Sequence, residues 1–227
     1  MATGRNMDSL ADALDKCMLF NGIPEEKYGA VLKCLSGQER HYSGGTLIDL
    51  VEGKGRRVGV ILSGRVSVNM YSAEGKSFCL NQLKSGDVFG NDLINAAVPS
   101  SLQIETASDS DILYLDFNPL FISGGTCPYK ARVTRNLLEQ MSEEIAFMGG
   151  KIRLLAEPRL RERIRLYLST LKPEGGALRI PMSRGEMASY LCVDRSALSR
   201  ELGRMQEDGL IEVDGRTVRV TSPGYLC

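Results

Sequence analysis

Two arginines and two serines on one side of a short helix are the residues of this chain best suited to chemistry. Between Ser183 and Arg204 the sequence reads SRGEMASYLCVDRSALSRELGR. Arg195, Ser196, Ser199, Arg200 and Gly203 share one helical face, opposite an apolar stripe of Leu198, Leu202 and Met205. A guanidinium can bond guanine O6 and N7 together, and a serine hydroxyl can reach a phosphate or a base edge. The face therefore suits a helix lying in the major groove of double-stranded DNA. Other elements must hold that helix in place. Ser183 followed three residues later by Glu186 is a capping-box signature, and it starts a preceding helix with Met187, Ala188 and Leu191 along one side. Ser183 and Arg184, at the head of that first helix, are placed to hold phosphates. Asp194 is suited to N-cap the second helix. Beyond it, Leu210–Val213, Asp214-Gly215 and Arg216–Val220 read as a hairpin, because Asp-Gly favours a two-residue turn between β-rich runs. Helix, turn, helix and hairpin outline a winged DNA-binding module.

The run MSRGEMASYLCVDRSALSRELGRMQEDGLI resembles the helix-turn-helix of the Crp/Fnr family of bacterial transcription regulators. The recognition helix of that family commonly carries E-x-x-S-R or R-E-x-x-x-R. Arg195 matches the leading arginine, and Ser199-Arg200 match the S-R pair. Ser196 stands where the family often has a glutamate that accepts from cytosine N4, so the resemblance implies a different preference at that base pair. Cys192 occupies the turn position where the family usually has glycine, and it is expected to be buried as a small hydrophobe.

The bulk composition fits this reading once the charge is divided along the chain. The 227 residues carry no net charge, but residues 1–150 carry a net −4 and residues 151–227 a net +4. An acidic front and a basic back suit a sensor joined to a nucleic-acid module. No apolar run approaches the roughly 20 residues needed to span a bilayer, and the N-terminus lacks a signal-peptide core. The protein is expected to be cytoplasmic, with no membrane partner. Cysteines at 17, 34, 79, 127, 192 and 227 show no metal-like spacing, so neither a disulfide framework nor a zinc site is indicated. Most are expected to be reduced and buried.

Upstream, Asp8 to Met18 and Pro24 to Gly37 read as short helices. From Arg40 to Asp116, short β-rich runs cut by glycines indicate a jelly-roll-like barrel. The segments VGVILSGRVSV, EGK and SGDVFGN have the spacing of the cyclic-nucleotide-binding β-roll, so the resemblance extends over nearly the whole chain from Leu19 onward. It implies an effector pocket formed by Phe89, Gly90, Asn91, Ser100, Ser101, Leu102 and Gln103. Cyclic-nucleotide binders carry a glutamate directly after F-G and later an arginine with a small hydroxyl residue. Asn91 and Ser101-Leu102 stand at those places, and without the arginine a cyclic phosphate loses its bidentate partner. Cyclic AMP is therefore not the expected ligand, and the effector is unidentified. Cys17 and Cys34 are too few for an iron–sulfur cluster, and His41 is the only histidine, so no cofactor is indicated.

Leu138, Met141, Ile145, Met148, Ile152 and Leu155 recur at alternating intervals of three and four, forming a narrow a/d seam that wants a partner helix. Gly149-Gly150 interrupts the seam with weak helix formers. Glu157-Pro158 reads as a hinge, Arg159 to Thr170 as an amphipathic helix, and Lys172 to Gly176 as a loop. The expected class is α+β: a β-roll effector-sensing domain over residues 1–127 with N-terminal helices, a dimerisation helix over 128–157, and a winged helix-turn-helix over 158–227. The expected function is a homodimeric, sequence-specific DNA-binding transcription regulator controlled by a small effector or a redox signal. RNA polymerase is a further partner implied by the resemblance. The alternatives are a cyclic-nucleotide-binding regulatory protein and a cupin-type β-roll enzyme. One histidine in 227 residues disfavours the enzyme, which needs clustered histidine and carboxylate metal ligands, and no catalytic activity or metal is expected.

Overall fold

A computed structural model describes residues 7–49, 57–71, 77–90, 101–121, 127–222 and 224–226. The chain divides into two compact units, Met1–Lys76 with Asn81–Ala146 and Ser77–Leu80 with Phe147–Cys227.

The first unit is a β-roll under a helical cover. Helix α1 (Met7–Lys16) ends before a turn of 3-10 helix at Met18–Phe20, and a second such turn at Glu25–Lys27 leads into α2 (Tyr28–Cys34). The strands are β1 (Gln38–Tyr42), β2 (Leu47–Ile48), β3 (Arg57–Ser63), β4 (Arg65–Tyr71), β5 (Ser77–Lys84), β6 (Val88–Phe89), β7 (Leu102–Thr106) and β8 (Ser110–Asp116). They form two sheets in the orders β1-β8-β3-β6 and β2-β7-β4-β5. The turn expected at Ala73–Lys76 and the glycine pair Gly124-Gly125 lie outside the described residues.

Alternation along β3 and β8 explains how one sheet carries two cores. Val58, Val60 and Leu62 of β3, with Leu113 and Leu115 of β8, join Leu14, Leu19, Phe20, Val31 and Leu35 of the helical cover. Ile61, Ile112 and Tyr114 point the other way and meet Val66 and Ile104 of the second sheet. Gly59 shares that inner face, where an added Cβ would overlap the ring of Phe89. Gly64, at φ +85, makes the tight β3–β4 turn.

Helix α3 (Asn118–Phe121) precedes α4, which runs from Lys130 to Ala156 and continues through Gly149-Gly150. Its start is anchored: Val133 and Leu137 are buried, and Asn136 Nδ2 donates to the carbonyls of Leu19 and Asn21, 2.9 Å each.

The second unit contains α5 (Leu160–Ser169), α6 (Arg184–Tyr190), α7 (Arg195–Glu207) and a sheet in the order β11-β12-β10-β9. Its outer pair, β11 (Ile211–Asp214) and β12 (Thr217–Val220), is the hairpin that Asp214-Gly215 predicts. Residues 172–176 are more than the expected loop. Pro173–Glu174 (β9) pairs antiparallel with Ala177–Arg179 (β10), because Gly175 and Gly176 adopt positive φ of +58 and +80 and close a two-residue turn. Ile164 and Leu168 of α5 pack with Met187, Leu191, Leu198, Leu202, Met205, Ile211 and Val218 in one core.

Candidate nucleic-acid interface

The first helix of the helix-turn-helix starts as its sequence requires. Glu186 N donates to Ser183 Oγ at 3.3 Å, and Ser183 N donates to Glu186 Oε2 at 2.6 Å, which completes the capping box. Asp194 takes the extended N-cap conformation before α7 but makes no side-chain cap bond. The turn between the helices has both hydrogen bonds of a Schellman motif: Val193 N donates to Ala188 O at 3.0 Å and Cys192 N to Ser189 O at 3.1 Å. That motif demands a left-handed residue, and Cys192 supplies it at φ +54. Cys192 is exposed, contrary to its expected burial. The reversal at this position turns its side chain away from the shared apolar face, which Leu191 and Leu198 fill.

Two cations tie the end of α6 to its neighbours. Arg163 Nη1 donates to Leu191 O at 2.8 Å while its Nη2 and Nε hold Glu157 O. Lys151 Nζ donates to Tyr190 O at 2.5 Å and to Cys79 O at 3.1 Å, and it lies 2.9 Å from the centroid of the Tyr190 ring. Lys151 is only 4% exposed, and burial lowers its pKa to about 8. A third cation, Arg161, donates from Nε to Glu201 at 2.7 Å and from Nη1 to Asp208 at 2.6 Å. This clasp fastens α7 to α5 and neutralises two carboxylates near the recognition face.

On the outer side of α7, Arg195, Ser196, Ser199 and Arg200 are all exposed. Among the described residues, none of the four side chains has a hydrogen-bond or ion-pair partner. Ser183 and Arg184 are half-buried beside the start of α6. Arg184 Nη1 is buried with no hydrogen-bond partner, and desolvation lowers the guanidinium pKa. On the wing, Arg216 and Arg179 are exposed and adjacent, since Arg179 pairs in register with Thr217. Arg219 is drawn to Glu212 at 3.4 Å. Neither Arg179 nor Arg216 belongs to a sequence motif; strand pairing alone brings them together.

The residues assigned to an effector pocket are differently disposed. Phe89 is a core side chain, edge-on to Tyr114 with centroids 6.2 Å apart, and Gly90 is buried at φ +81. Ser101, Leu102 and Gln103 are half-buried at the start of β7 on the other sheet, with Leu102 opposite Met70 and Gln103 opposite Asn69. Asn91 and Ser100 lie outside the described residues. Along α4, Leu138, Ile145 and Ile152 are 60%, 72% and 69% exposed, while Met141, Met148 and Leu155 are half-buried. His41 Nδ1 lies 2.8 Å from Asp111 Oδ1. Among the described residues no group of three or more His, Cys, Asp or Glu could hold a metal, and no helix is long and apolar enough to cross a membrane.

Comparison with known proteins places this geometry. Residues 132–227 match the family described as the Crp-like helix-turn-helix domain. Electron transport regulator A of Shewanella oneidensis is 32% identical over 141 residues, covering 59% of this chain and 55% of that protein. Transcriptional activator protein FnrA of Stutzerimonas stutzeri is 33% identical over 103 residues, 42% of each chain. The chain thus spans about half the length of these curated relatives. The structure of a CooA mutant from Carboxydothermus hydrogenoformans superposes over 100% of this chain and 96% of its own, with a TM-score of 0.72 at 23% identity, which establishes the shared fold. Residues 132–227 thus carry a Crp-like helix-turn-helix domain, and the chain's α+β architecture of β-roll, long helix and winged helix-turn-helix is that of the CooA structure.

Proposed function

We propose that the protein is a homodimeric, sequence-specific DNA-binding transcription regulator in which residues 1–127 sense an effector, 128–157 join two copies and 158–227 read DNA. One observation carries the reading: a helix clasped to α5 through Arg161 presents Arg195, Ser196, Ser199 and Arg200 to solvent, without partners among the described residues. Unpaired guanidiniums and hydroxyls on a rigid helix are what direct readout of a duplex requires. Arg195 and Arg200 contact bases; Ser183, Arg184 and Ser199 hold phosphates. Arg184, half-buried at the head of α6, places a guanidinium beside Ser183.

Dimerisation follows from α4. Leu138, Ile145 and Ile152 are exposed aliphatics seven residues apart, and a second copy of the same helix would bury them. Two such heads on one duplex would set their recognition helices about one DNA turn, ~34–36 Å, apart. The β-roll receives a small molecule or a redox signal through the neighbourhood of Gly90, Ser101, Leu102 and Gln103; it does not receive cyclic AMP, and the regulator acts through RNA polymerase. The names of the relatives, an electron transport regulator and a transcriptional activator, support a regulatory role.

Binding-site selection with the full-length protein tests the reading. A selected half-site should emerge, and Arg200→Ala should weaken binding to it by about 1–3 kcal/mol while relaxing preference at one position. Arg184→Ala should weaken selected and random duplexes alike and flatten the salt dependence. Ser196→Glu should sharpen preference toward cytosine at the base pair it faces. No enrichment over random duplex after selection would refute the proposal.

A further inference from the structure

Gly203 lies well inside α7, the helix of 13 residues from Arg195 to Glu207, where glycine weakens a helix more than any residue but proline. Nothing in the fold requires it there. Its backbone does not take the positive φ that favours glycine, and a Cβ built on it would meet no atom of the described residues within 4 Å. Neither a strained backbone nor a crowding neighbour accounts for the missing side chain. Its place on the helix does suggest a reason. At about 100° per residue, Gly203 lies about 20° from Ser196 and about 40° from Ser199 around the axis, on the face that Arg195 and Arg200 flank. The buried Leu198, Leu202 and Met205 lie on the other side.

We propose that Gly203 is a positioning residue for duplex binding, which lets a sugar–phosphate wall of the major groove come against the main chain of α7. A helix with its side chains is about 10–12 Å across and the major groove is about 12 Å wide, so a recognition helix fills the groove. The Cα atoms lie only about 2.3 Å from the axis, and side chains make up the rest of that width. Where the side chain is missing, the duplex can approach by the depth of that layer, since glycine permits a backbone to come close to a ligand. The N-terminal residues of a recognition helix meet base edges. Two turns beyond Ser196, about 10 Å along the axis, the same face has left the bases and meets the wall. This assignment rests on the regulator reading.

Stability and binding should therefore move in opposite directions when a methyl is added. With open space around the Cβ and an ordinary helical backbone, Gly203→Ala should raise the folded-to-unfolded ratio by about three- to fivefold, the usual gain of alanine over glycine inside a helix. In the complex the same methyl stands between α7 and the wall. The helix must then back out of the groove, and Arg195, Ser196, Ser199 and Arg200 lose reach together. A glycine kept for packing inside the protein would lose stability and affinity together, and a glycine with no role would gain stability at no cost in binding.

The test compares the full-length parent with Gly203→Ala, Gly203→Leu and Gly29→Ala. Gly29, an exposed glycine of α2 in the first unit, has the same open space around its Cβ. Urea unfolding followed by circular dichroism gives stability, and fluorescence anisotropy of labelled duplexes at fixed salt gives affinity for the selected site and for random DNA. Both Gly203 variants should unfold at higher urea than the parent. Gly203→Ala should weaken both duplexes alike by at least about fivefold, the low end of the cost of forcing a methyl into a close contact, and Gly203→Leu should weaken them further. Gly29→Ala should bind as the parent does. Parental affinity in Gly203→Ala overturns the assignment, as does a loss of stability alongside the loss of affinity, or an equal loss in Gly29→Ala. A loss confined to the selected duplex sets base edges against Gly203 and overturns the wall. Each of those outcomes leaves the regulator reading standing, whereas a parent that selects no duplex overturns that reading and the assignment with it.

Discussion

Replacing Lys151 with methionine should change how stability depends on pH far more than it changes the fold. The lysine stem packs beside Tyr190 and its ammonium is buried on carbonyls and a ring face, with no carboxylate among its hydrogen-bond partners. Methionine keeps the stem and removes the charge. The gap between the ordinary 10.5 and the lowered value of about 8 means that holding the charged form in this site costs on the order of 3 kcal/mol relative to the unfolded chain. The sign follows from proton counting. Between about pH 8 and about pH 10.5 the unfolded chain keeps its proton while the folded chain has lost one, so the wild type gains stability as pH rises through that window. At neutral pH and below, both states are protonated and the full penalty applies. Integrated from about pH 7 to about pH 9.5, the gain is roughly 2 kcal/mol. Tyr167, Tyr190 and Cys192 have raised pKa values and push stability the other way as they ionise. Both proteins share those groups, so they largely cancel in the difference. The vertical offset between wild type and variant depends on the carbonyls of Tyr190 and Cys79 losing their donor; the difference in slope does not. Urea unfolding at a series of pH values, followed by circular dichroism, supplies the two curves. An NMR titration of the lysine side-chain signals should show one group with a midpoint near 8. Parallel stability curves, or no lysine titrating below the ordinary range, would refute the buried-charge assignment.

Three further outcomes follow from single contacts. Ser183→Ala removes the acceptor for Glu186 N and should destabilise the second unit by about 1 kcal/mol, read as a shift in its urea midpoint. Gly59→Ala sets a methyl into the Phe89 ring and should cost at least ~1–3 kcal/mol, with Phe89→Leu in the same chain recovering part of the loss; full stability of the single variant would show that the ring yields freely. Ile145→Asp places a charge at the most exposed position of the α4 seam, and sedimentation should then show a mass near 24.9 kDa where the parent sediments at twice that, whereas an unchanged association state would remove α4 from the interface.

How far such features can be seen in the sequence depends on the range of the interaction that creates them. Local signals were sufficient for the helix-turn-helix and its wing. Ser183 and Glu186 are three residues apart, the alternation of Leu198, Leu202 and Met205 fits one turn geometry, and Asp214-Gly215 carries its own backbone preference, so each element follows from a window shorter than a helix. The same holds for the α4 seam, whose period is visible without a partner. The Gly175-Gly176 hairpin was missed because its strands are two and three residues long and too short for periodicity to distinguish from loop. Cys192 was misjudged because a cysteine is usually a small buried hydrophobe, while here the Schellman turn sets where its side chain points. The remaining misses involve pairs that meet only through tertiary structure. Lys151 reads as one more polar flank of the seam; its burial depends on Tyr190 and Cys79, which lie 39 and 72 positions away. Arg161 reads as a solvated charge until α7 brings Glu201 and Asp208 to it. In each case the side chain is ordinary and its neighbours give it a role, so the buried lysine and the clasp are legible only in three dimensions, while the exposed face of α7 can be seen in one.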